Sequence, residues 1–362
     1  MMTGDLTGVV GGAGVPHAPQ FFTLPDTEDK EQVWRVEERM RALGEELQAL
    51  RPDAVVVIAN DHLKNFLLYC VPAFLVHRGP RASGTFAGRS FSWPVDSELA
   101  TALIESLQEQ GFDPAASMNC PIGYEFGIPL TFLGLPPDTP IVPIFVNSYV
   151  PPQPSPDRCY AFGQALARGM RLLGKRVVVV ASGGLSHYPG TERYANPDMD
   201  TDKALLEQLR GGNLRALLQM GAHGLDRTGN VEARSWIILA GALGERPPTA
   251  INFEPSWHHN YAIVAWTGEA GTERRLESAT PLHYPVPRAD QVGLYEALYK
   301  LLCDEAACAA FCRDPAAFAG SYELRQPERD ALVALDEAAM RELGVHPLLV
   351  FLARLQVDLV RT

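Results

Sequence analysis

RPDAVVVIANDH, residues 51–62, enters from a proline, runs through an unbroken β-branched and apolar segment and closes on Asn60, Asp61 and His62. A strand with one wet face alternates apolar and polar residues. This one does not, so it reads as a strand buried on both faces, in a sheet covered by helices. RVVVVASGG (176–184) repeats the pattern, and IVPIFVN (141–147) is a shorter version. TGVVGGAGV (7–15) reads as a strand running into a loop, and TAINFE (249–254) and YAIVAWTG (261–268) as strands. FLLYCVPAFLV (66–76) reads as a further strand, with Pro72 marking a bulge or edge. Between these runs the spacing turns helical. Val33, Val36, Met40, Leu43, Leu47 and Leu50 recur along one face of 30–50, and 96–111, 157–174, 200–220 and 231–243 also suit helices. Strands alternating with helices give an α/β domain with a central sheet flanked by helices.

The composition changes after Gly268. EAGTERRLESATPLHYPVPRAD is polar, charged and broken by prolines, as linkers are. Beyond it the pattern is helical throughout, rich in Ala, Leu and Glu. The expected organisation is therefore an α/β domain over 1–270, a linker over 271–287 and a small all-α domain over 288–362.

The totals exclude several classes. The 362 residues carry a net charge of −12, with 46 % hydrophobic and 20 % charged residues, and no basic stripe of the kind a nucleic-acid binder needs. No apolar run approaches the ~20 residues that span a bilayer, and the polar, glycine-rich start does not read as a signal peptide. The six cysteines are scattered without a CxxC pair, and Cys303, Cys308 and Cys312 have the spacing of one helix face. A reducing cytoplasm suits such thiols.

Ligand sites in open α/β sheets gather beyond the C-terminal ends of the strands. His17 follows the first strand in GAGVPHAPQ, His62 the second in VVVIANDH and His187 a third in VVVVASGGLSH, while Glu254 ends a fourth in TAINFEP. Taken singly, a histidine after a strand is an ordinary surface or capping residue, and a glutamate there is more ordinary still. Taken together, they would converge on one cleft. Two imidazoles and a carboxylate match the facial triad of non-haem iron(II) oxygenases, which leaves positions open for substrate and O₂. The remaining histidine, His187, has a side chain suited to acid/base work. The same donors would also serve a catalytic zinc hydrolase, and a non-catalytic metal-binding protein could keep the scaffold. His258 and His259 follow Glu254. As neighbours on a strand they would point to opposite faces, so at most one is expected to reach the metal.

The motifs resemble those of LigB-type (class III) extradiol ring-cleavage dioxygenases. NDHLKNF with its following PAF is similar to the segment of the second metal ligand, and VPHAPQ to that of the first, with Pro16 in place of the usual serine. SGGLSH resembles the segment of the catalytic histidine, GNVEARSW (229–236) a downstream signature, and NFEP the segment carrying the carboxylate ligand. The resemblance implies Fe(II) on His17, His62 and Glu254, His187 as acid/base, and an aromatic ring with vicinal hydroxyl or hydroxyl and amino groups as substrate for O₂. In one departure, GYEFGIPL (123–130) places Tyr124 where a second active-site histidine falls in the family. Tyrosine can hydrogen-bond a ring substituent but is a poor base at neutral pH, so an aminophenol or a hydroxylated N-heterocycle joins the catechols as an expected substrate. FCRDPAAFAGSYELRQPERDALVALD and GVHP resemble the helical LigA-type subunit, which gallate dioxygenase also carries on the same chain. The resemblance implies that this part caps an active-site mouth. A homodimer is expected from the general frequency of such assemblies.

Overall fold

Among the described residues, ten strands build two sheets. In chain order they are β1 (Gly8–Val15), β2 (Ala54–Asn60), β3 (Phe74–His77), β4 (Arg81–Phe86), β5 (Arg89–Pro94), β6 (Ala115–Ser117), β7 (Ile141–Val146), β8 (Arg176–Ser182), β9 (Ala250–Pro255) and β10 (Asn260–Trp266). The computed structural model describes residues 7–268, 285 and 287–361. The chain divides into two compact units, residues 1–276 and 277–362.

The large sheet of the first unit runs β6-β3-β7-β2-β8-β1-β10-β9, and β4 and β5 pair apart from it. Its centre, β7-β2-β8-β1, is parallel. Two antiparallel joints, β3 on β7 and β10 on β1, make the sheet mixed. All residues of β1, β2, β7 and β10 are buried, as the unbroken apolar runs require. Each buried Val or Ile there contributes about 1.5–3 kcal/mol. β1 is glycine-rich for a steric reason. A Cβ on Gly14 would lie 2.6 Å from the Trp236 ring, so a side chain there would push away the helix Ala233–Leu243 that lies over the strand. The helix Lys30–Ala49 is capped by Asp29, whose carboxylate accepts from Glu31 N and Gln32 N, and it buries Val33, Val36, Met40, Leu43 and Leu47.

Some local expectations change. Of the strand expected over 66–76, only β3 forms. The Asp61 carboxylate accepts from the backbone N–H groups of Lys64, Asn65 and Phe66 and turns the chain directly after β2. The helix expected over 200–220 is split into Met199–Arg210 and Ala216–Gln219, with a break at Gly211-Gly212 where Gly212 has φ +82°. The β4–β5 hairpin was not anticipated. It turns on Ala87-Gly88, both at positive φ, the geometry of a two-residue hairpin loop. The helix Tyr124–Phe132 forms with Gly127 and Pro129 inside it, against their low helix propensity.

The second unit is helical, with helices Val292–Cys303, Glu305–Arg313, Pro315–Ala319, Gln326–Ala334, Glu337–Glu342 and Pro347–Arg361. It has its own core, including Leu294, Leu298, Leu301, Phe311, Leu332 and Met340. The three cysteines of this part do not share one helix face. Cys303 is exposed at the end of the first helix, and Cys308 and Cys312 belong to the second. Of the expected linker over 271–287, all but 285 and 287 lie outside the described residues.

Candidate metal centre

The parallel strands deliver their following residues to one end of the sheet. β1 leads to His17, β2 to His62, β7 to Tyr149, and β8 to Gly184 and His187. Because β10 runs antiparallel to β1, its beginning lies at the same end and brings His258 and His259 with it. The histidine and tyrosine side chains among these line one cavity together with Tyr124 and Glu232.

His17, His62 and Glu232 present ligand atoms that all lie within 4.8 Å of one another. Glu232 Oε1 is 2.9 Å from His62 Nε2 and 3.3 Å from His17 Nε2. The surroundings determine which nitrogen of His17 faces this point. Ser182 Oγ donates to the Glu125 carbonyl at 2.6 Å and so must accept from His17 Nδ1, 2.8 Å away. The lone pair of His17 is thereby left on Nε2, toward Glu232, in the arrangement that outer-shell partners impose on metal-binding histidines. Glu232 Oε2 accepts from Gly184 N at 2.8 Å, and Oε1 accepts from the Tyr149 hydroxyl at 2.7 Å. Burial alone would raise the Glu232 pKa. When their Nε2 atoms carry protons, His17 and His187 overcome it by charge and hydrogen bonding and hold the carboxyl well below its ordinary range. Two neutral imidazoles and one completely buried carboxylate form a donor set suited to a divalent ion.

The loops are tied to each other through Asn60 at the end of β2. Its Nδ2 donates to the carbonyls of Ser182 and Glu232, at 3.2 and 3.4 Å, and its Oδ1 accepts from Ser148 Oγ. The residues after β7, after β8 and before the Ala233–Leu243 helix are thus held to one another by a single buried amide.

His187 stands beside the triad, with Nε2 3.6 Å from Glu232 Oε1 and 3.4 Å from the Tyr149 hydroxyl. Its Nδ1 donates to the Leu185 carbonyl at 2.9 Å, which leaves Nε2 as the atom able to take a proton. Burial disfavours its charged form, but the Glu232 carboxylate outweighs burial and raises its pKa. The ring stacks face to face on His259, with centroids 4.2 Å apart and planes 1° apart. Burial, followed by the neighbouring His187, pushes His259 well below its ordinary pKa, so the stack does not set two cations face to face. Tyr149 and Tyr124 are held protonated, both pushed well above the ordinary phenol value by burial and then by Glu232. Each is therefore a hydrogen-bond donor. Tyr124 packs 4.9 Å from the His62 ring.

The carboxylate of the triad is a correction. Glu254 lies on β9, the edge strand two places out from β1, and its side chain turns to the helix Lys30–Ala49. There it accepts from Arg35 Nε at 3.2 Å and Arg35 Nη2 at 3.0 Å, with Gln32 Nε2 at 3.4 Å. A partly exposed carboxylate already held by a guanidinium is a surface ion pair, and Glu232 takes the place beside His17 and His62. The signal for it lay in GNVEARSW, whose glutamate is the residue that immediately precedes the Ala233–Leu243 helix. Tyr149 and His259 were likewise not singled out as site residues. Both His258 and His259 line the cavity, because residues 256–258 are not in a regular strand, but neither is among the three donors. His259 forms only an isolated bridge with His187, and β10 begins at Asn260.

Two outcomes follow for the frame around His187. A Cβ on Gly184 would lie 1.7 Å from His259 Nε2. Gly184→Ala is expected to separate the His187–His259 stack and to lower turnover by at least ~10-fold, since ~1 Å of misplacement can cost ~10²-fold. Circular dichroism should show the fold retained, and steady-state kinetics would measure the loss. Asp202 is fully buried and accepts from Ser186 N, Ser186 Oγ, Asn230 Nδ2 and Asn260 Nδ2, which secures the loop that carries His187. Asp202→Ala strands these donors and should cost about 3 kcal/mol, to be read from the midpoint of denaturant unfolding.

Residues 11–269 match the family model of the catalytic LigB subunit of aromatic ring-opening dioxygenase. A 2,3-dihydroxyphenylpropionate/2,3-dihydroxicinnamic acid 1,2-dioxygenase of Klebsiella pneumoniae (strain 342) is 35 % identical over 161 residues, 44 % of this chain and 51 % of that protein. In that comparison the chain spans about half the length of its relative. The protein of the same name from Cupriavidus necator is 28 % identical over 285 residues, 65 % of this chain and 91 % of that protein. A solved structure of an uncharacterised Escherichia coli K12 protein is 17 % identical, and the match covers 71 % of this chain and 99 % of that one with a TM-score of 0.45. Among the described residues, no helix is long and apolar enough to cross a membrane.

Proposed function

Because the chain belongs to the LigB family of catalytic subunits of aromatic ring-opening dioxygenases, we propose that it is a non-haem Fe(II)-dependent extradiol-type dioxygenase. In this reading it cleaves an aromatic ring bearing vicinal hydroxyl, or hydroxyl and amino, substituents with O₂. The observation that carries the proposal is the meeting of His17, His62 and Glu232 beside a buried His187 whose Nε2 is free to take a proton. An iron(II) ion bound there supplies open positions for the ring substituents and O₂, and an electron path between them.

The protein's own residues supply position and protons. His187 Nε2 takes the proton that a ring hydroxyl gives up on binding and returns it during bond cleavage, the work of a general acid/base. Tyr124 donates a hydrogen bond to a ring substituent and orients the ring, while Tyr149, whose proton goes to Glu232 Oε1, offers its oxygen as an acceptor. Tyr124, which stays protonated, suits a substrate whose second substituent needs no base, such as an amino group. The relatives named for a dihydroxyphenyl substrate support the ring class and leave the particular ring open. The free cysteines are consistent with a cytoplasmic enzyme, and a homodimer remains the proposed assembly.

The test is O₂ uptake by anaerobically iron-loaded protein with catechols, aminophenols and hydroxypyridines, recorded beside ultraviolet–visible spectra. Stoichiometric uptake with a new ring-opened chromophore is expected, and chelation should abolish it. Activity with zinc and without O₂ would overturn the proposal in favour of a hydrolase.

A further inference from the structure

We propose that Gln20, Tyr194 and His258 form a subsite for an uncharged, hydrogen-bond-donating substituent of the ring, and that this subsite selects against carboxylated rings. The inference rests on the ring-cleaving reading for what occupies the neighbouring metal centre.

The three residues line the same cavity as the triad, and no lysine or arginine is among the described residues that line it. The charge nearest to them is negative. Glu28, itself buried, accepts from His258 Nε2 through both carboxylate oxygens, at 3.1 and 3.2 Å. If His258 is charged the pair is neutral, and if it is neutral the pair carries a net negative charge. Neither state offers a carboxylate a positive partner. An anion at this end of the cavity finds no lysine or arginine among the described lining residues to offset its desolvation, and Glu28 stands behind His258.

The polar groups present suit a donor instead. Gln20 Nε2 donates to the Tyr194 hydroxyl at 3.1 Å, and among the described residues Gln20 Oε1 is buried without a hydrogen-bond partner. An unmet buried acceptor is stabilised by an N–H or O–H brought by a ligand. The walls are aromatic. Tyr194 stacks on His258 with centroids 5.3 Å apart, and Trp257 stands edge-on to both at 5.6 and 4.5 Å. A flat substituent such as a carboxamide would lie against these stacked rings, with its N–H directed to Gln20.

The test compares probes of one shape. Binding of 2,3- and 3,4-dihydroxybenzamide and of the matching dihydroxybenzoates to the metal-loaded full chain is measured by calorimetry with O₂ excluded. For at least one ring position the amide is expected to bind about tenfold or more tighter than its benzoate. Gln20→Arg, which places a cation in the subsite, should raise benzoate affinity about tenfold while leaving the metal content unchanged. Equal or tighter binding of both benzoates to the unmodified protein overturns the subsite, whether or not the variant folds, as does failure of every ring to bind. O₂ uptake with the same rings separates the two readings. Cleavage with a preference for the benzoates removes the subsite and keeps the enzyme. Amide-selective binding without uptake removes the ring-cleaving reading and keeps the subsite.

Discussion

Glu232→Gln protein is expected to lose bound metal and ring-cleaving activity together, while Glu254→Gln protein keeps both. Glu232 is fully buried, its Oε1 lies between two imidazole nitrogens, and its Oε2 is anchored by Gly184 N. The amide removes the one negative charge among the three donors and can set an N–H₂ group against the position of the ion. Loss of metal by more than ~10²-fold in affinity is expected, beyond the ~10–100-fold that outer-shell changes cost. Glu254 is 28 % exposed at its side chain and paired to an arginine that is itself half exposed. Such surface pairs are worth ~0–1 kcal/mol, so Glu254→Gln should shift the unfolding midpoint only slightly. Metal content by mass spectrometry after dialysis, together with kcat, reads both variants. Metal loss in the Glu254 variant with retention in the Glu232 variant would restore the carboxylate that NFEP suggests.

His187→Ala should retain metal and lose turnover by about 10²–10⁴-fold, the range of a positioned general acid/base. The imidazole contributes one proton-accepting atom, Nε2, and its orientation is set on both sides by Leu185 O and the His259 ring. It is not one of the three donors that meet within 4.8 Å, so the ion should remain. His187→Gln keeps a hydrogen-bonding group of similar reach without a titrating nitrogen. If proton transfer is the role, it should be nearly as slow as the alanine variant. Full activity in either variant would remove the acid/base assignment. Metal loss in both would make His187 a ligand and not a base.

The sequence by itself determined the α/β character, the buried central strands and the helical C-terminal part. It also determined that His17, His62 and His187 follow strands. These are properties of local pattern. An unbroken β-branched run can satisfy its burial only between two layers, and residues after parallel strands gather at one end of a sheet wherever the strands sit. Only the tertiary structure decided which carboxylate joined the histidines. Glu254 lies near the end of a strand and Glu232 immediately precedes a helix, and spacing alone does not choose between them. The sheet order puts β9 at the edge, where Arg35 from a distant segment claims Glu254. The Ala233–Leu243 helix packs over glycine-rich β1 and brings Glu232 in beside His17. The presence of both His258 and His259 in the cavity, and the convergence of Tyr149 on Glu232, depend in the same way on contacts between segments far apart in the chain. No local period encodes which side chains such contacts bring together.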